Sequence, residues 1–203
     1  MITTIVVFAC SIKHGGKCLA GKRINDKTWV RPVGDHTGKE LTNVQATCEN
    51  KHGTFPIKLL QKLVIDIDQH VPLRHQPENF ILNNTQIKQS YKIEKSEISN
   101  YLDEPYDLWG QGADVSAADI NKGVIDIKQS LYLVKVDNLE LLLNSFGKRR
   151  ARFSYNKIDY DLSVTCPSFD ALLESGEETN NILCISLGEE YEHSHWKIVA
   201  AIY

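Results

Sequence analysis

The sequence predicts a mainly β fold with short helices, and three observations carry that expectation. Apolar, β-branched runs of strand length recur at both ends of the chain, from Thr3 to Cys10 and from Trp196 to Tyr203. Turn signals separate neighbouring runs at hairpin spacing, as at Asn25-Asp26-Lys27 and Asn156-Lys157. The helical candidates between them are all short.

Taken in order, Thr3–Cys10 is a β-branched run, and Lys17–Ile24 and Thr28–Val33 flank the turn at 25–27 as a hairpin. On its second arm Trp29 and Arg31 share a face and Val30 takes the other. Residues 34–56 are polar and dotted with glycine, which predicts a long loop, and Leu59–Asp68 returns to strand character. Residues 83–129 are polar and acidic, with helical candidates at Ser96–Leu102 and Ser116–Lys122, the second capped by Ser116 and stopped by Gly123. Between them, Tyr106–Gly112 reads as an aromatic loop, a connector or a lid. Leu131–Val136 is a strand, and Asp137-Asn138-Leu139-Glu140 has capping-box spacing for a helix through Phe146, ended by Gly147. Arg149–Tyr155 and Ile158–Val164 form a hairpin, Pro167–Glu174 one or two helical turns, and Ile182–Gly188 and Trp196–Tyr203 the closing strands. Each half thus holds the inventory of a small barrel. Two OB-like barrels fit the count, and so does a single sandwich, because one sequence does not reveal strand pairing.

The composition, 42% hydrophobic and 24% charged over 203 residues, is that of a globular protein. No apolar run approaches the ~20 residues of a membrane-spanning helix, and Met1-Ile2-Thr3-Thr4 does not open a signal peptide, so a soluble cytoplasmic protein is expected. Five cysteines at irregular spacing, with no C-x-x-C, point to neither disulfides nor zinc; Cys10 and Cys184 read as small core residues. Charge is uneven. Residues 1–75 hold 11 Lys/Arg against 6 Asp/Glu, and residues 76–203 hold 12 against 20. A basic N-terminal part suggests a face aimed at an anion, against the plainer reading of solvated surface.

The richest stretch runs from Ser11 to Lys22 and continues through Trp29-Val30-Arg31-Pro32-Val33. Lys13, Lys17, Lys22 and Arg31 offer charge for phosphates, Trp29 offers a ring for a base, and His14 stands beside them. Gly15 and Gly16 permit close approach of a ligand to the backbone. The alternative is a hairpin whose Trp29 belongs to the core.

This stretch resembles the opening of the bacterial dual OB-containing domain family. Leu108-Trp109-Gly110 resembles its middle, and Cys184–Gly188 with Trp196–Ile202 its close. The resemblance implies two OB-like barrels and a nucleic-acid or nucleotide-binding role in bacterial conflict systems, with a protein partner from the same operon. It carries over no catalytic residue.

Arg150 and Arg152, inside Lys148-Arg149-Arg150-Ala151-Arg152, share a strand face and suit phosphate; charge complementarity at a helix C-terminus is the alternative. His193-Ser194-His195 reads as a turn rather than a metal site. Asp126-Ile127-Lys128 matches the acid-x-Lys step of metal-dependent nucleases, with Asp114 or Asp119 as partners, a three-residue match that arises often by chance.

These readings combine into two fused OB-like barrels, 1–82 and 130–203, joined by a mixed connector at 83–129. The expected function is non-catalytic binding of nucleic acid or nucleotide, with Trp109 as a second stacking ring and neither metal nor cofactor. A nuclease using Asp126 and Lys128, and a protein-interaction module, are the competing readings.

Overall fold

A computed structural model describes residues 1–13, 15–176 and 179–203, the side chains of Ile12 and Lys13 excepted. The chain divides into two compact units, Met1–Tyr101 and Leu102–Tyr203. Among the described residues, no helix is long and apolar enough to cross a membrane.

The first unit contains β1 (Ile2–Lys13), β2 (Gly16–Arg23), β3 (Trp29–Val33), β4 (Thr47–Asn50), β5 (Gly53–Pro56), β6 (Gln61–His70), β7 (Asn79–Leu82) and β8 (Ile87–Lys92). A 3₁₀ helix, Lys95–Tyr101, follows them. Five strands close a ring in the order β1-β2-β3-β7-β6 and back to β1. Closure depends on the length of β1, whose residues 2–6 pair with β6 while residues 5–13 pair with β2. Neighbours in the ring are antiparallel except β3 and β7, which run parallel. This is the circuit of an OB barrel. Strand alternation fills it: Ile5 and Val7 on β1 point inward with Leu19, Val30, Leu63, Ile65 and Ile67. Each such side chain, fully buried, contributes about 1.5–3 kcal/mol. Beyond β6 the sheet continues through β8 and β4 to β5.

The second unit contains β9 (Asp114–Ser116), α1 (Ala117–Lys122), β10 (Leu131–Lys135), β11 (Asp137–Leu143), β12 (Arg149–Tyr155) and β13 (Ile158–Val164). After these come α2 (Phe169–Ser175), β14 (Ile182–Tyr191) and β15 (Ser194–Ile202). Its path is β10-β14-β15-β13-β12-β11, again with a single parallel pair among them, β13 with β15. β10 and β11 are one strand interrupted at Val136, so the path repeats the first circuit and closes through the chain itself. α2 falls between the third and fourth strands of that circuit. A core of Leu162, Phe153, Val164, Phe169, Ile185 and Val199 fills it.

Several expectations are corrected. The predicted loop at 34–56 contains the β4–β5 hairpin, a pair of four-residue strands held because Cys48 and Ala46 enter the first core. The helix expected at 137–146 is β11. Its capping-box spacing is a local signal, and pairing of residues 140–143 with 149–152 overrides it. Within residues 83–129, β8 pairs with β6 and β4 in the first sheet, and β9 pairs with β15 in the second. The helix at Ser116 forms as read, with the Asp119 N–H donating to Ser116 Oγ at 3.3 Å and Gly123 at φ 72° as its left-handed cap. The turn at 193–195 shifts back to Glu192 and His193, and His195 is a buried β15 residue whose Nδ1 lies 2.9 Å from the Gly188 carbonyl. Among the described residues no cysteine forms a disulfide; Cys184 is fully buried and Cys10 half-buried.

Candidate functional site

The residues with the strongest sequence signal are placed mostly in scaffold. Val6, Lys22 and Trp29 are cross-strand neighbours on the outer face of β1, β2 and β3. The chain itself closes over that face. Lys22 is 1% exposed and Trp29 5%, and the Lys22 ammonium donates to the Tyr101 carbonyl at 2.6 Å. The same Nζ lies 5.3 Å from the Trp29 ring centroid. Phe8 meets the Trp29 ring edge-on at 6.2 Å and the Tyr101 ring at 5.2 Å. Lys22 therefore satisfies a backbone acceptor, and Trp29 fills an apolar layer under the 95–101 helix.

Arg31, also buried, faces Glu78, with Nε and Nη2 each 3.5 Å from Glu78 Oε1. Its backbone N–H donates to the Glu78 carbonyl at 2.9 Å, so the side-chain pair reinforces the parallel β3–β7 junction. Gly16 admits a close approach, but by the protein: a Cβ there would lie 2.3 Å from Glu40 Cγ. Gly15 supplies the turn, at φ 83° with open space around it. Lys17 is half-buried, its backbone exchanging hydrogen bonds with Leu41 at 2.7 and 3.0 Å, and among the described residues its ammonium makes no ion pair. The Lys13 side chain and His14 lie outside the described residues.

In the second unit Arg150 and Arg152 share a face, as their spacing requires, and both reach Asp161. Arg150 Nε donates to it at 2.7 Å and Arg152 Nε at 3.1 Å, and Glu140 lies 3.9 Å from Arg152 Nη1. The two guanidiniums hold the Asp161 carboxyl below its usual range against the opposing effect of desolvation. Arg149, on the other face, pairs with Asp170.

Trp109 is half-buried at φ 55°, packed on Tyr132 at 4.5 Å, and its Nε1–H donates to the Gln129 carbonyl at 2.9 Å. The buried Lys197 ammonium holds the Trp109 loop by donating to the carbonyls of Gly110, Gln111 and Gly112 at 2.8, 3.2 and 3.0 Å. Burial pushes Lys197 down to about 8, with Asp107 and Asp114 working to raise it. Sequence reading did not assign Lys197 a role; a single cation inside the apolar run 196–202 was the available signal. Asp126 and Lys128 are exposed, off any strand, and paired with each other. Among the described residues no three His, Cys, Asp or Glu side chains gather as a metal site would require.

Net positive charge is confined to the first unit. Residues 1–101 hold 14 Lys/Arg against 9 Asp/Glu, a balance of +5, and residues 102–203 hold 9 against 17, a balance of −8. The boundary between compact units is thus also a boundary between signs of charge. Among the described residues Lys17, Lys39, Lys62, Lys88 and Lys92 of the first unit and Lys122, Lys135, Lys148 and Lys157 of the second make no ion pair, while all three arginines of the second unit are paired.

Two circuits of OB type in one chain define a tandem OB-fold binding module. The chain belongs to the dual OB-containing domain family, whose model matches residues 3–202. No curated protein and no solved structure matches the sequence.

Proposed function

We propose that this chain is a non-catalytic module that binds nucleic acid or a nucleotide through the cationic surface of its first unit. The observation that carries the reading is the segregation of net charge: residues 1–101 balance to +5 and residues 102–203 to −8, where the three arginines are paired with carboxylates. OB barrels present strand faces and loops to extended ligands, and lysines free of carboxylates suit a phosphate backbone. The acidic second unit repels a polyanion, which favours a short footprint over duplex wrapping.

The test is a titration of labelled single strand against the full chain at several salt concentrations. Three or four phosphate contacts predict a slope of log affinity on log salt of about −2 to −3, at ~0.7 per contact. A slope near zero, or no binding at low salt, overturns the reading.

A further inference from the structure

The outer face of β1–β3 is occupied by the protein's own Lys95–Tyr101 helix, so a ligand of the first unit needs another surface. The strands added beyond the barrel provide one. Along β6 the side chains of Leu63, Ile65 and Ile67 point into the core, which turns Lys62 and Val64 outward. On β8, Tyr91 is the cross-strand partner of Lys62, and Lys88 is the partner of Val64. The Tyr91 ring is half exposed, with the Lys62 ammonium 4.5 Å from its centroid and donating to its hydroxyl at 3.2 Å. Lys88 is exposed, about 7 Å further along the sheet at ~3.4 Å per residue, and Lys92 is exposed at the end of the same strand. Beyond Lys62 the patch runs on to Tyr101, where Lys27 Nζ lies 4.0 Å from the ring centroid. Lys62 is close enough to Tyr101 to oppose the burial that raises its hydroxyl. Glu49 on β4 is the one carboxylate in direct register with Lys88, and it makes no ion pair with it.

We propose that the outer face of β6 and β8 is a binding site for single-stranded nucleic acid, in which one unpaired base stacks on Tyr91 and the flanking phosphates meet Lys62 and Lys88. This deepens the function proposed above and rests on it. The interleaving favours a nucleic acid over an acidic peptide. Carboxylates would use the lysines and leave the exposed ring idle, whereas a nucleotide uses both, since every base has a π-face and every link a phosphate. Lys62 already holds the ring from one side, so the ring enters binding with little freedom to lose.

The test uses the full chain and a fluorescent oligothymidylate or oligouridylate of about 12 nucleotides, a length within OB site sizes. Tyr91→Ala should weaken binding about tenfold or more, and Tyr91→Phe, which keeps the ring, should restore most of it. Lys88→Glu should weaken binding and make the salt slope shallower by about 0.7. Lys122→Glu, the same charge change on the second unit, should leave affinity within about twofold, a small effect of a distant charge in salt. All variants should melt with the wild type, because the three positions are solvent-exposed. If the wild type binds but Tyr91→Ala and Lys88→Glu bind equally well, the ligand face lies elsewhere and this proposal falls while the general function stands. If the wild type binds neither strand, both fall. If poly-glutamate competes as well as the oligonucleotide and the ring proves dispensable, the face is a polyanion or acidic-peptide surface and the proposal is likewise overturned.

Discussion

Arg31→Ala should lower the stability of the protein by about 3–5 kcal/mol, the cost of leaving one member of a buried ion pair without its partner. Arg31 is 9% exposed and Glu78 7%, so water cannot replace the lost guanidinium at the Glu78 carboxylate. Arg31→Lys should lie between wild type and Ala, since a lysine carries the charge but not the fork that places both Nε and Nη2 toward Glu78 Oε1. Replacing both partners, as in Arg31→Met with Glu78→Leu, should recover much of the loss, because the uncompensated charge is then gone. Urea unfolding of the four proteins measures this directly. An unchanged unfolding midpoint in Arg31→Ala, together with weakened oligonucleotide binding, would move Arg31 from the β3–β7 junction back to a ligand surface.

Trp29→Ala should be of similar size, about 3–5 kcal/mol, as for other buried Trp truncations that leave a cavity. The ring supports Phe8 on one side and the Lys22 ammonium on another, and both lie beneath Tyr101. Its loss therefore exposes the underside of the 95–101 helix and weakens the environment of a buried cation. Trp29→Phe should recover part of the loss by keeping a ring against Phe8. Thermal unfolding reads the effect. A Trp29→Ala protein that melts with the wild type yet loses affinity for single strands would show the ring to be a stacking platform instead.

These two residues also show what is legible in the sequence and what depends on distant segments. The strands that carry Trp29 and Arg31, the face they share, and the hairpin before them were readable from alternation and turn chemistry. A cation beside a ring beside glycines, however, describes an exposed nucleic-acid platform and a sealed outer sheet face equally well. The difference is whether a segment some seventy residues away folds over it, and nothing in 11–33 encodes Lys95–Tyr101. Arg150 and Arg152 differ. Their consumption by Asp161 could have been foreseen, since a two-residue turn at 156–157 sets Tyr155 opposite Ile158 and therefore Arg152 opposite Asp161. β11 was misread because Leu-Glu-Leu-Leu-Leu suits a helix or a half-buried strand, and only pairing with β12 decides. The β4–β5 hairpin was missed because its strands are four residues long and largely polar. Lys62, Lys88 and Tyr91 escaped notice for a related reason: they come from strands separated in sequence and meet only through the β6–β8 register.

The decisive measurement is photocrosslinking of a bromouracil-substituted single strand of about 12 nucleotides to the full chain, a length matched to OB site sizes, with the adducts mapped by mass spectrometry. The proposed site predicts adducts within Met1–Tyr101, foremost on the peptide that carries Tyr91, and their disappearance as salt rises. Adducts confined to Leu102–Tyr203 and indifferent to salt would contradict it.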